Sequence, residues 1–300
     1  MSTGTVGGPE LGTVVVGVDG SEHARAAAQW AAAEADRRGR PLRILYGADL
    51  DRLTRLASME AIEQIREAGR VLLLETAAVV QDRFPGLTVI RELSRKDPAS
   101  GLRAAAGPSD TVVVGSRGLG GFRTLLLGSV GLEVAARCWV PVVVVRGEPD
   151  SADTGVVTAA VRGPADTDWL GYAAREAHLR KGELRVLSVW NPLIHAAGTA
   201  TLLNGLDETA QEHGRRMKRL AEPLCDAFPG LTLTTEVSSG TSAAGLLVEA
   251  SRHTDLLVLG ARRRPVGLGP RLGHVAHALL HHAHSPVAIV PRGTGDSEED

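Results

Sequence analysis

The sequence repeats itself at a spacing of about 145 residues, and this internal duplication limits the folds that the chain can adopt. The segment FPGLTV from Phe84 recurs as FPGLTL from Phe228, and DTVVVGSR from Asp110 recurs as DLLVLGAR from Asp255. Because the matching segments keep their order, the 300-residue chain is predicted to contain two copies of one domain. We expect the copies at residues 11–146 and 156–292, joined by a linker at 147–155 and followed by an acidic tail at 293–300.

Short apolar runs alternate with helical segments inside each copy. Val14–Val18 is short and apolar throughout, which is typical of a strand covered on both faces. Ser21 can then cap a helix that Gly39 ends, and Asp97 followed by Pro98 favours the start of another helix. Further strands are predicted at Leu42–Leu45, Leu87–Glu92, Val112–Val114 and Val142–Val145, and in the second copy near Val156, Leu184, Leu231, Leu256 and Val287.

Strands that alternate with helices along a chain pair in parallel through right-handed crossovers. The sequence therefore predicts an α/β fold of two tandem doubly wound domains. Each domain is expected to hold a five-stranded parallel sheet with helices on both faces.

The composition argues against several classes of partner. A formal net charge of −2 gives no sign of a nucleic-acid or membrane partner. The N-terminal segment MSTGTVGGPELG has neither a basic nor an apolar region, so no signal peptide is predicted, and no apolar run approaches the ~18 residues of a membrane helix. Cys138 and Cys225 lie far apart without metal-ligand spacing, which favours a reduced protein in the cytoplasm.

A glycine-rich segment, GSRGLGGFRTLLLGSV at residues 115–130, follows the predicted fourth strand. Glycines let backbone N–H groups close on an anion, and the N-terminus of a following helix adds a partial positive charge. Asp19 in VDGS ends the first strand, so its carboxylate should lie at the same edge of the sheet. The Walker pattern occurs nowhere in the sequence, and the G-x-G-x-x-G spacing of dinucleotide-binding proteins is absent after the first strand. It favours a site for a polyphosphate.

The spacing Gly115-x₂-Gly118-x₉-Gly128-Ser129 resembles the nucleotide-binding motif of the universal stress protein family, as do VGVDGS near the N-terminus and PVVVVR in the fifth strand. The resemblance spans both copies and implies binding of ATP or a related adenine nucleotide, with Mg²⁺ left open. It places part of the site beside the adenosine and part around the ribose and phosphates. The implied residues are Gly17, Val18 and Asp19 at the adenosine, Gly47 beside the base, and Gly115, Arg117, Gly118, Gly128, Ser129 and Val130 around the ribose and phosphates.

The same family resemblance concerns the fifth strand, which in family members often pairs antiparallel with its counterpart in a partner domain. Here the second copy is expected to supply that partner, which would make an intrachain pseudo-dimer. A homodimer of whole chains is left open.

The second copy departs from the nucleotide motif. Arg263 stands where the first copy has Gly118, and His274 replaces Ser129. Arg162 replaces the carboxylate of Asp19, and Pro265 fixes φ and removes a donor. We therefore expect this copy to have lost ordinary ATP binding. The arginines Arg262, Arg263, Arg264 and Arg271 leave open a site for another anion.

The residues themselves leave three functions open. No nucleophile elbow, paired carboxylates or Ser-His-Asp set is evident, which favours a binding protein over an enzyme, and the family resemblance implies an ATP-binding regulatory or sensor protein of the stress response. The alternatives are a slow ATPase or nucleotidyl-transfer enzyme, and an interaction scaffold with a structural nucleotide. Asp19 also fits a plain helix cap, and no metal site is predicted although His277 and His281 have the i, i+4 spacing of a zinc pair.

Overall fold

The computed structural model describes residues 11–54, 56–118, 127–146, 153–163, 169–190, 204–261 and 272–292. The described residues divide into two compact units, one within residues 11–146 and the other within residues 153–292. We call these the first and the second unit. The predicted tail at 293–300 and the part of the predicted linker before residue 153 lie outside the described residues.

The first unit is a parallel sheet of strands β1–β5 in the order β3-β2-β1-β4-β5. Helix α1 packs beside α3, and α4 packs beside α5. The strands are β1 Val14–Gly17, β2 Leu42–Gly47, β3 Val89–Ser94, β4 Thr111–Gly115 and β5 Val142–Val145. The helices are α1 Glu22–Arg38, α2 Leu50–Leu53, α3 Met59–Arg83, α4 Pro98–Ala105 and α5 Ser129–Arg137.

The second unit repeats this arrangement, with parallel strands in the order β10-β9-β6-β7-β8. Its strands are β6 Val156–Val161, β7 Glu183–Trp190, β8 Thr232–Ser239, β9 Leu256–Ala261 and β10 Val287–Pro291. Its helices are α6 Leu170–Leu179, α7 Asn204–Ala227, α8 Ala243–Ala250 and α9 His274–His282, with a 3₁₀ turn at Ser251–His253. The predicted fold class, two tandem α/β domains, is confirmed.

The central strands are apolar because helices cover both of their faces. Val14, Val15 and Val16 of β1 and Val113 of β4 are fully buried. Such runs suit parallel strands, in which successive side chains point to opposite faces and neither face meets water.

One repeated carboxylate ties the start of each sheet together. Asp110 accepts hydrogen bonds from the N–H groups of Thr13 at 2.8 Å and Gly107 at 2.7 Å. In the second unit Asp255 accepts one from the N–H of Gly155 at 2.9 Å. Because these bonds fix the chain where it enters β1 and β6, the repeated aspartate has a structural role.

The third strand begins later than predicted. The sequence predicts Leu87–Glu92, but β3 covers Val89–Ser94. The N–H of Leu87 donates to the carbonyl of Phe84 at 3.0 Å, so Leu87 belongs to the turn that follows α3. The short helix α2 is a further element that the sequence did not predict.

Asp97 caps α4 as predicted, and removing its side chain should lower the stability of the first unit. Its carboxylate accepts a hydrogen bond from the N–H of Ser100 at 3.0 Å, and Pro98 is the first helical residue. Asp97→Ala should lower the free energy of unfolding by about 1 kcal/mol at pH 7, and Asp97→Asn by less, because an amide oxygen still accepts. Urea denaturation measures both.

The cap should also depend on pH. The hydrogen bond from the Ser100 N–H lowers the pKa of Asp97. The pKa of Asp97 is lower in the folded protein than in the unfolded chain, so the cap contributes fully to the free energy of unfolding above the unfolded pKa of about 4. This contribution disappears as the pH falls through the folded pKa. Asp82→Ala, at an exposed position of α3, is the control. An equal loss in Asp82→Ala and Asp97→Ala would contradict the role of the cap.

Candidate functional site

A cavity of about 310 Å³ lies in the first unit at the carboxyl ends of β1 and β4. The strand order reverses between these two strands, since the chain continues from β1 to β2 on one side and returns to β4 on the other. In open α/β sheets ligands bind at such a reversal, because the connections leave the sheet in opposite directions and open a crevice.

The structure brings all ten predicted site residues together in the lining of this one cavity. Their role in binding a nucleotide stays a prediction. The lining includes Gly17, Val18, Asp19, Gly47, Gly115, Arg117, Gly118, Gly128, Ser129 and Val130.

An apolar wall completes the cavity, and no sequence motif indicated it. Leu45 and Val114 come from the ends of β2 and β4, and Leu102 comes from α4. All three side chains are buried, so they present a fixed apolar surface. The sequence could have indicated Leu45 and Val114, because residues near the carboxyl ends of β2 and β4 must border the crevice. The other lining residues that the sequence did not predict are Ala24, Tyr46, Pro98, Leu127 and Gly131.

Two of the cavity glycines are required by close backbone contacts. A Cβ at Gly115 would lie 2.6 Å from the carbonyl oxygen of His23, and a Cβ at Gly47 would lie 2.7 Å from the nitrogen of Pro98. Gly128 is different, because its nearest neighbour, the Cα of Arg117, would be 3.6 Å away. The first two glycines therefore let α1 and α4 approach the sheet.

Asp19 lies at the polar rim of the cavity. Its carboxylate accepts a hydrogen bond from the N–H of Ser21 at 3.0 Å, while Ser21 itself caps α1 by accepting from the N–H of Ala24 at 3.1 Å. The predicted alternative, that Asp19 caps the helix, is therefore not what the structure shows. The other carboxylate oxygen of Asp19 faces Gly118, where a Cβ would collide with it.

Helix α5 points its N-terminus at the cavity. Its first residues, Ser129 and Val130, line the space together with Gly128, which precedes the helix. The residue before α5, Gly128, makes no side-chain cap hydrogen bond to the first turn, whose N–H groups have no partner within the helix. A helix N-terminus of this kind stabilises an anion.

Two arginines add positive charge at the same edge of the sheet. Arg117 lines the cavity, and Arg146 follows β5, which pairs with β4. Burial lowers the pKa of Arg146, and the positive charge of Arg117 lowers it further. An anion near this pair would relieve their repulsion. Arg146 was not among the predicted site residues, although it ends the PVVVVR segment.

The second unit carries different residues at the corresponding points. Arg162 follows β6 where Asp19 follows β1, and His274 begins α9 where Ser129 begins α5. Gly260 at the end of β9 matches Gly115. The remaining residues of the predicted degenerate loop, Arg262, Arg263, Arg264, Pro265 and Arg271, lie outside the described residues.

Helix α9 carries a pair of histidines, His277 and His281, one turn apart. The rings of His277 and His281 are stacked, with centroids 4.5 Å apart. Among residues with a described structure, no group of three or more His, Cys, Asp or Glu side chains could hold a metal ion. In the same parts of the chain, no helix has the length and apolar character needed to cross a membrane.

Comparison with known proteins gives one consistent family. The model of the universal stress protein family matches residues 10–146 and again residues 156–291. A universal stress protein of Mycolicibacterium smegmatis is 40% identical over 297 residues, which cover 92% of this chain and 96% of the relative.

Solved structures agree on the fold. A universal stress protein from Archaeoglobus fulgidus has a TM-score of 0.69 at 20% identity, and the match covers 94% of this chain and 98% of the chain in that structure. Another universal stress protein from the same organism was solved in complex with dAMP. The match covers 45% of this chain and 95% of the chain in that structure, at 16% identity. Its TM-score is 0.32.

The two kinds of cavity glycine should respond differently to the same substitution. Gly115→Ser places a Cβ against the His23 carbonyl and should lower the free energy of unfolding by about 1–3 kcal/mol. Gly128→Ser is the matched control, because its Cβ has space and serine is a favoured residue at the N-terminus of a helix. Urea denaturation compares the two variants, and equal stability would contradict the steric role of Gly115.

Proposed function

Since the chain belongs to the universal stress protein family and carries two copies of its domain, we propose that the first unit binds ATP or a related adenine nucleotide. We propose further that the protein is a cytoplasmic regulator or sensor of the stress response whose state changes with the nucleotide. The observation that carries the proposal is that ten residues chosen from the motif line a single cavity.

The cavity matches the chemistry of a nucleotide from end to end. Leu45, Leu102 and Val114 present an apolar surface that suits a planar base. Asp19 supplies a carboxylate that can accept hydrogen bonds from ribose hydroxyls. The N-terminus of α5 and the guanidinium of Arg117 supply donors and positive charge for phosphates.

Charged groups in the lining favour binding over turnover. Of the described residues that line the cavity, Asp19 is the only carboxylate, and it already accepts a hydrogen bond from Ser21. A general base needs an accessible lone pair next to the attacking water. If Mg²⁺ accompanies the nucleotide, phosphate oxygens and water would be its main ligands, since the proposal assigns Asp19 to the ribose, and the ion would neutralise phosphate charge.

The second unit is proposed not to bind ATP in this way. Arg162 replaces the carboxylate at the end of the first strand of the copy, so the contact proposed for ribose is absent there. Each lost hydrogen bond to a charged group typically costs ~1.5–3 kcal/mol, or a factor of about ten or more in affinity. We therefore expect one nucleotide for each chain.

Isothermal titration of the full chain with ATP tests the proposal. The unmodified protein should bind about one ATP per chain, and Gly118→Arg should weaken binding at least a hundredfold. The substitution copies Arg263 into the first loop, and its Cβ would also collide with the carboxylate of Asp19.

Gly86→Arg is the matched control for this titration. Gly86 belongs to the same unit, and a Cβ there would meet nothing within 4 Å. It should bind ATP as the unmodified chain does, with all three proteins giving the same circular dichroism spectrum. Two ATP molecules per chain, or unchanged affinity in Gly118→Arg, would overturn the proposed site.

A further inference from the structure

Trp169 of the second unit is buried with an unsatisfied hydrogen-bond donor. Its side chain is 2% exposed, and its indole N–H has no acceptor in the described parts of the chain. A buried donor without a partner is costly, so such groups usually meet a water, an ion or a ligand. This donor therefore marks a place where an acceptor is expected.

The unsatisfied N–H lies at the carboxyl end of β9. Trp169 directly precedes α6, and a Cβ at Gly260 would collide with its indole nitrogen. The Nε of Arg292 would lie 2.9 Å from that same Cβ position. In the first unit the equivalent point over Gly115 is covered by the backbone of His23. The second unit thus brings an indole donor and a guanidinium together over a glycine.

Positive charge is concentrated around this point. Arg292 follows β10 and Arg162 follows β6, so the two arginines flank the end of β9. Burial lowers the pKa of Arg292, and the positive charge of Arg162 lowers it further. Because like charges repel each other, a bound anion would stabilise this pair of arginines.

Helix α9 adds a second source of donors. It begins at His274, just after Gly273, as α5 begins just after Gly128 in the first unit. No side chain of the described residues caps α9, so N–H groups of its first turn are not used by a cap.

We propose that the second unit binds a small oxyanion of the phosphate class at the end of β9, held by the indole N–H of Trp169 and by Arg162 and Arg292. The ring of Trp169 covers Gly260, so the site suits a phosphate group rather than a base and ribose beside it. The site lies in the other unit from the nucleotide cavity and does not depend on the function proposed for it.

The test is a titration of the full chain with inorganic phosphate in the Gly118→Arg background, which removes the proposed nucleotide site. We expect saturable binding of one phosphate per chain. Arg162→Gln and Arg292→Gln should each weaken it at least about tenfold, because each loses a charged donor. Trp169→Phe keeps an aromatic ring but lacks the N–H, and it should also weaken binding.

Arg252→Gln is the matched control. Arg252 lies just before β9, at the amino ends of the parallel strands and away from the proposed site. Its exposed side chain forms an ion pair with Glu249 at 3.1 Å. It should bind phosphate as the parent does. Arg292→Lys keeps a charged donor and should bind phosphate more tightly than Arg292→Gln. This difference would show that Arg292→Gln loses binding and not the fold.

A parallel titration with ribose 5-phosphate separates two sources of the oxyanion. Tighter binding than inorganic phosphate would assign the site to a phosphoryl group on a larger molecule, and tighter binding of inorganic phosphate would assign it to the free ion. Absence of saturation by both ligands at about 10 mM would overturn the proposal. So would equal affinity in the parent and in the Trp169, Arg162 and Arg292 variants.

Discussion

The reversal of strand order between β1 and β4 is the constraint on which the candidate site depends. It opens a crevice only because helix α1 can lie close to the end of β4, and that approach requires Gly115. The connection after β1 then carries Asp19, while the connection after β4 carries Arg117. The hydroxyl of Ser21 donates to the carbonyl of Arg117 at 3.5 Å, which joins the two connections at the rim. Sheet topology thus brings Asp19 and Arg117 to the same cavity.

The two units show how one framework can carry different sites. The contacts that start each sheet are kept, since Asp110 and Asp255 both accept backbone hydrogen bonds there. The units differ at the carboxyl ends of their strands. Arg162 stands in the second unit where the first unit has Asp19, and the indole of Trp169 covers Gly260. Framework and lining have therefore diverged separately, as expected when function depends on a few residues at strand ends.

The sequence predicted what depends on local pattern. The duplication, the parallel strands and the caps at Ser21 and Asp97 follow from apolar runs and short-range hydrogen bonds. It did not predict Leu102, Arg146 or Trp169 as parts of a site, because their positions depend on how separate elements pack. The error at Leu87 has a local cause, since a turn after α3 uses an apolar residue that otherwise suits a strand.

The central claim is that the cavity between β1 and β4 holds an adenine nucleotide. Mass spectrometry of the small molecules released on denaturing the purified full chain, after incubation with a mixture of nucleoside triphosphates and removal of unbound ligand, tests it most directly. The account predicts release of an adenine nucleotide in preference to guanine, cytosine and uracil nucleotides, because the proposal rests on the adenine-nucleotide motif of the family to which the chain belongs. Release of no nucleotide, or of all four in equal amounts, would contradict it.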